Sequence, residues 1–583
     1  MDQLPPELIS VIVSHLDREA IGPYASLSRQ WQVAVESITF RHLRLDSTDL
    51  DQFQRRLSIQ HRRAALETLD YFASLPAYSD DRCAKVERRR EREANNAAFT
   101  EAVNSLFTIL KNWEVDGNHR RRAGRPITLN LCALSPTDIA APRPYDDMGE
   151  HRYERSILTL LDPCSLPQIE RVVSFSALST RAPQYKWSSL GWNLECKPRT
   201  LRAASVAQIG SKFPNLTSIK WELEDCAFTE DTIRHKYRKE FADALSTIPT
   251  QHLERFTLWF RFPDPQNDAF HLPSGTCPDN SNGGGVDELS ASLHVLLSRS
   301  PHLKHCTLSG PIALSPAIFG PTNPSPSAFP SSSHTSLSHK NRHPPSLLTL
   351  TISTGRTTPA GTWLYARDPS EPTASASDHV SNHSETDHSR SSAMTPPFHH
   401  HHDGSSNSEE EEEVDSDDSL WHETWHAWHA GLATGQRPRR RYRSILDAGA
   451  WEPFVVAGMG ALLCGDEESM WARLERLEVR AGEGLEQWGE EGEEAEEERQ
   501  IFWGVYGEGC KDGEGDGTGL RGVGGEEKQE KVGRQRRRVV VETKPSGWLG
   551  DPKWRPSKGV RRLWDDYVGA DGEVEMYLCE DYY

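Results

Sequence analysis

The sequence is short of apolar residues. Only 36% of its 583 positions are hydrophobic and 8% aromatic, against 26% charged. A chain of that composition does not fold throughout, because some segments bury too little apolar surface to offset the entropy lost on ordering. Its ten cysteines are scattered, with no Cys-x-x-Cys pair and no tight cluster, which reads as reduced thiols and a cytoplasmic and/or nuclear location. Long apolar runs are missing too: the longest window, Phe454 to Cys464, is too short to cross a bilayer, so no membrane partner is expected. The N-terminus carries Asp2 and Glu7 in place of basic residues, and Ser10 breaks the stretch Leu8 to Val13, so no signal peptide is expected either. An excess of positive charge is absent. The net charge is −20, which argues against nucleic acid as a partner, and the acid is concentrated in runs such as Glu409 to Glu413 and Glu490 to Glu498. There is no phosphate-binding P-loop and no Gly-x-Ser-x-Gly elbow.

What is present begins at the N-terminus. Pro5 and Pro6 suit a first helical turn, where a missing N–H costs nothing, and Glu7 complements the helix dipole. Leu8, Ile9, Ile12, Val13 and Leu16 recur at helical spacing. Asp17 can cap a second short helix that Gly22-Pro23 interrupts, and Leu27, Trp31, Val35 and Ile38 mark a third. Three short helices make a core too small to stand alone, so a partner or the rest of the chain must cover part of it.

The pattern Leu4-Pro5-x-Glu7-Leu8, Ile12, Leu16-Asp17, then Leu27-Ser28-Arg29-x-Trp31 and Phe40 resembles an F-box, the module that docks substrate receptors onto the Skp adaptor of cullin–RING ubiquitin ligases. It departs from the usual leucine-rich run at Gly22-Pro23-Tyr24, yet "PYASLSRQW" is similar to a large group of filamentous-fungal F-box proteins whose remainder resembles leucine-rich repeats. The resemblance implies that Leu4, Pro5, Leu8, Ile12, Leu16, Leu27 and Trp31 form or support the adaptor face; the alternative is that they are ordinary core of a small helical domain.

Further on, strand-like segments recur at 40, 66, 127, 169, 216, 253, 303, 347 and 474, unevenly spaced and in places preceded by helical runs such as Ile233 to Ile248 and Val286 to Leu297. The expected fold is α/β: a small all-α F-box at 1–45, then an irregular leucine-rich-repeat-like helix–strand solenoid at 46–365 with a disordered insertion about 320–345. A disordered Ser/His/acidic insertion at 366–419, a late repeat at 420–482, a disordered Gly/Glu-rich insertion at 483–537 and a capping segment at 538–583 complete the division. An ordinary α/β domain with a wound parallel sheet is the alternative.

Three motifs suggest other chemistry. His422-Glu423-x-x-His426 has the spacing of a zinc hydrolase, since two His four apart share a helix face and the Glu can activate water. The extended pattern would need Gly at 429 and His at 432, where His429 and Leu432 stand, and Trp421, Trp425 and Trp428 repeat as an apolar stripe would. Gly517-x-Gly519-x-x-Gly522 spells a dinucleotide fingerprint without the strand it requires, and His399 to His402 form a plain His tract. Runs of arginine at 88–90, 120–122, 439–441 and 536–538 read as solvated faces that could meet an acidic partner.

The sequence therefore points to a non-catalytic substrate receptor with no cofactor and no metal. Its partners would be the Skp adaptor and cullin through the N-terminal helices and a client protein through the body, where one row of each strand lines a shared sheet. The alternatives are a scaffold that uses the same contacts without ubiquitin transfer and, remotely, a zinc hydrolase at His422 and His426.

Overall fold

Nine short apolar-rich segments each become a strand; along Ser218–Glu224 buried and more open residues alternate as a pleat with one hydrated face requires, while Thr68–Ser74 and Ile127–Leu134 are buried at nearly every position. The computed structural model describes residues 4–17, 20–79, 82, 87–116, 125–139, 156–178, 198–225, 231–261, 270, 274–276, 287–320, 346–367, 443–463, 474, 476–481, 500–507, 537–544, 556–568 and 573–577. Helix α1 (Pro6–Ser14), a 3-10 turn at Gly22–Ser26 and helix α2 (Arg29–Thr39) come first. Proline occupies the first turn of α1, and the Ser28 side chain caps α2 by accepting from the Trp31 amide. Strand β1 (His42–Asp46) follows directly, then α3 (Leu50–Arg56), α4 (Gln60–Ala65), β2 (Thr68–Ser74), α5 (Arg89–Asp116), β3 (Ile127–Leu134) and β4 (Val172–Leu178). Helices at Ala203–Gly210, Asp231–Leu245 and Glu288–Ser298 precede β5 (Ser218–Glu224), β6 (Arg255–Arg261) and β7 (His305–Ile312) in turn. After β8 (Thr349–Thr354) come the antiparallel pair β9 (Tyr365–Arg367) and β10 (Arg443–Leu446), a helix at Ala448–Leu463 and β11 (Arg476–Ala481). The last elements are β12 (Gln500–Gly507), β13 (Arg537–Lys544), a helix at Lys558–Val568 and β14 (Glu573–Tyr577).

Twelve strands form one sheet in the order β1 through β8, β11, β12, β13, β14. From β1 to β11 every neighbouring pair is parallel. Register makes the two faces chemically opposite. One row across the strands reads Leu45, Tyr71, Leu131, Ala177, Trp221, Leu258, Leu308, Ile352 and Val479, and all nine are buried. The row one residue before it reads Arg44, Asp70, Asn130, Ser176, Lys220, Thr257, Thr307, Thr351 and Glu478, polar in every strand. The apolar row packs into one core with side chains of the crossover segments, in which Phe175, Phe241 and Phe256 crowd Trp221 with ring centroids 5.9–6.4 Å away.

The α/β class is as expected, but an all-α F-box followed by an irregular leucine-rich-repeat-like solenoid is not what the chain forms. Nine of the twelve strands of the main sheet form an all-parallel run joined by helical crossovers, the α/β arrangement with a parallel sheet that stood as the alternative. Two features account for the difference. Most of β1 falls inside 1–45 and pairs with β2, so that segment is not all-helical but supplies the first strand of the main sheet. The crossovers also differ in kind: α5 has 28 residues, while a β9–β10 pair and a 16-residue helix separate β8 from β11. Uneven strand spacing thus reflects unlike connections, not divergent copies of one unit. Within 483–537, expected to be disordered, residues 500–507 form β12, which pairs with β11 and β13, and 483–499 and 508–536 lie outside the described residues. Its apolar "QIFWGVYG" is short enough for the surrounding Gly and Glu to mask it in a composition average. Residues 321–345 and 368–419 lie outside the described residues.

Candidate functional site

Helix α1 carries two apolar stripes. Ile9 and Val13, four apart, face a small core shared with Ile21, Trp31, Ala34 and Val35, with Leu16, Ala25 and Ile38 packed at its margin. Leu4, Leu8 and Ile12 recur at the same step of four but lie roughly 100° around the helix from the first stripe, and they face outward. Of the residues expected at the adaptor face, Leu8 is 50% and Leu27 47% exposed, and Leu4, Pro5 and Ile12 are exposed as well. Leu16 is half-buried. Trp31 is only 6% exposed and stacks on Tyr24 with ring centroids 6.0 Å apart, so it supports the face from behind. Val11, Tyr24 and Val33 add exposed apolar surface to the same elements, and the sequence reading passed over them. Val11 sits beside the stripe at a spacing that a rule of fours omits.

A charged joint fixes these helices to the sheet. The Glu36 carboxylate, on the inner side of α2, accepts from Arg62 Nε and Nη2 at 2.7 and 2.6 Å and from Gln32 Nε2 at 2.9 Å, and His61 Nε2 lies 2.6 Å away. Arg62 also covers the Phe40 ring at 5.1 Å. The hydrogen bonds from Arg62 hold the Glu36 carboxyl well below its ordinary value of 4.5, at about 2, against the opposing effect of burial. Because the folded value lies below the unfolded one, the stabilisation, on the order of 2–3 kcal/mol, is complete above about pH 4.5 and is lost as pH falls towards 2. Limited proteolysis across residues 40–60 between pH 5 and 2 is expected to show the joint opening on acidification. Glu36→Gln should be open at pH 5 already, and an unchanged digestion profile in that variant would refute the assignment.

The polar face of the sheet is the second surface. Asp70 is 1% exposed there, yet both its oxygens are matched: His42 Nε2 stands 2.5 Å from Oδ2, and Asn130 Nδ2 donates to Oδ1 at 2.7 Å. Arg44 lies 4.4 Å above the Phe72 ring, and Lys220 pairs with Glu222 at 3.3 Å. Burial raises the Glu222 carboxyl, with Lys220 opposing. Toward the centre the face turns to hydroxyls, Ser176, Thr257, Thr307 and Thr351, around half-buried Trp259. These groups suit hydrogen bonding to a partner more than bond making.

Two buried ion clusters close the far ends of the strands. Asp225 Oδ2, after β5, accepts from Arg238 Nη1 at 2.7 Å and from Arg234 Nη2 at 3.4 Å. Arg238 Nη2 also donates to Asp287 Oδ1 at 3.1 Å and to the Ala313 carbonyl at 2.9 Å. In the second cluster Arg199 Nη2 meets Glu87 Oε1 at 2.8 Å and the Ser156 hydroxyl. Both are buried and balanced in sign, which identifies them as clamps on the crossovers. A cavity of about 440 Å³ between α3 and α5 is lined by polar residues, among them Asp51, Gln54, Glu101 and Asn104, together with Leu50 and Ile109.

His422, Glu423, His426, the tract at 399–402, the Gly517 motif and the arginines at 120–122 and 439–441 lie outside the described residues. Among the described residues no group of three His, Cys, Asp or Glu could hold a metal ion, and no helix is long and apolar enough to cross a membrane. No protein-family model matches the chain, and no curated protein matches it.

Proposed function

We propose that the chain is an F-box-type substrate-recognition subunit of an SCF-type cullin–RING ubiquitin ligase. On this reading the N-terminal helices bind the Skp adaptor, and the polar face of the parallel sheet receives a client protein. One observation carries it: Leu4, Leu8, Ile12 and Leu27 stand in water while Ile9, Val13 and Trp31 fill the core behind them. A cluster of exposed large apolar side chains on so small a helical unit favours a protein partner over solvent. The subunit would supply proximity, raising the effective concentration of client lysines near a charged ubiquitin-conjugating enzyme, while other subunits perform the transfer. No residue of this chain then needs a catalytic role. The Glu36–Arg62 joint supports the same reading, because a receptor that positions a client needs its two binding surfaces held in one orientation. Affinity purification of the tagged chain followed by mass spectrometry is the test. Adaptor and cullin are expected among the captured proteins, and their absence removes the proposal. A client whose turnover is unchanged when the chain is depleted would instead favour a scaffold without ubiquitin transfer.

A further inference from the structure

Strand β1 begins the main sheet and pairs on one side only, with β2. A strand so placed offers its outward N–H and C=O groups to any extended chain that can reach them. Register tells which groups these are. The Arg41 carbonyl accepts from the Thr68 amide at 2.9 Å, and His42 stands opposite Thr68. Successive residues of a strand send their backbone groups to opposite sides, so Arg41, Leu43 and Leu45 bond towards β2 while His42, Arg44 and Asp46 turn outward. No described residue bonds the N–H or C=O of Arg44. The side chains of the outward three share the polar face. In the middle of them Arg44 is exposed, lies 4.4 Å above the Phe72 ring and meets no carboxylate among the described residues. Asp46, two positions on, accepts from the Thr48 amide and hydroxyl at 2.8 and 2.7 Å and meets no cation among the described residues.

The order of charges along β1 selects the partner. A single unmatched charge guards an open strand against pairing. Here the guard carries its own match. When a second β1 lies antiparallel beside the first, Arg44 can stand opposite Asp46 of the copy, and the two-fold axis repeats that pair. Leu45 then meets Leu45 of the copy near the axis, and an even shift keeps the polar face beside the polar face. Opposite charges facing across strands stabilise the pairing, whereas the register that sets Arg44 against Arg44 is penalised. We infer that β1 is a self-association site, at which a second copy of this chain adds its own β1 antiparallel and joins the two sheets. Five residues make a contact smaller than the roughly 1,200 Å² of a stable interface, so the dimer forms only at high concentration. The inference does not depend on the adaptor reading, and adaptor capture and self-association can fail separately.

The test is sedimentation velocity of the full chain over a wide range of concentration. The weight-average mass is expected to rise towards that of two chains, and to rise less at high salt. Arg44→Asp and Asp46→Arg, each alone, set like charges opposite one another and should weaken association roughly tenfold or more. Mixed together, the two variants should pair about as well as the unaltered chain, because every facing pair is again of opposite sign. Circular dichroism checks that each is folded. Asp46→Arg also removes the cap on the turn at Ser47, so Arg44→Pro takes its place should that variant unfold. Proline there deletes the outward N–H but no bond to β2, and should likewise hold the chain as a monomer. A chain that stays monomeric at every concentration would overturn the inference. So would undiminished association of folded Arg44→Asp, or a mixture of folded variants that fails to pair. Association that survives the β1 variants but is lost in Leu8→Asp, Ile12→Asp would overturn it in favour of α1 as the contact.

Discussion

Leu8→Asp combined with Ile12→Asp is expected to abolish capture of the adaptor while the chain remains folded. Both side chains point outward from α1, so their replacement leaves Ile9, Val13 and the rest of the small core intact. Apolar anchors at the centre of an interface contribute about 2 kcal/mol or more each, so two charged replacements should weaken binding roughly 1,000-fold. Pull-down of purified adaptor, with far-ultraviolet circular dichroism as the control for folding, measures this. Retained capture by a folded double variant would exclude α1 as the docking surface. Trp31 is the wrong residue for such a test although the sequence pattern draws attention to it. At 6% exposure, stacked on Tyr24, its truncation should cost about 3–5 kcal/mol of local stability, and lost binding would then only report a collapsed helical unit.

The largest loss of global stability is expected at Arg238. Its guanidinium bridges Asp225 and Asp287 and reaches the Ala313 carbonyl, linking the segments that follow β5 and β7. Arg238→Met leaves two carboxylates facing Arg234 as their remaining cation in a site that excludes water, at a cost of about 3–5 kcal/mol. Adding Asp287→Asn should recover part of that loss, because it leaves Asp225 balanced by Arg234 and a neutral amide is cheaper to bury than an unpaired carboxylate. Urea unfolding of the three proteins decides the matter. A midpoint unchanged by Arg238→Met would show that the cluster contributes nothing beyond its geometry.

Much of the fold was legible residue by residue. Pro5-Pro6 and the spacing of Leu27, Trp31, Val35 and Ile38 mark α1 and α2 because proline placement and period 3.6 are local properties. The nine strand-like segments are the nine parallel strands for the same reason. What misled was their arrangement. Strand spacing in the chain suggested a coil of repeats, whereas pairing is decided by backbone hydrogen bonds between strands, whatever lies between them. The candidate sites were legible only in part. Leu8 and Ile12 follow from helical periodicity, but Asp70 with His42 and Asn130 sits in no motif, since their only relation is spatial. The same holds for Glu36 with Arg62, and for Asp225 with Arg238 and Asp287.

Sequence alone determined where the nine parallel strands and the first helices form and that α1 can be apolar, since these depend on neighbours within a few residues. Tertiary structure decided which row of each strand is buried, because a pleat has two faces and only pairing register selects one. It also decided that arginines 130 positions apart in the chain, from Arg41 to Arg171, share one edge. Charge acts through space, and the order of residues along the backbone does not reveal those distances until the sheet has closed them.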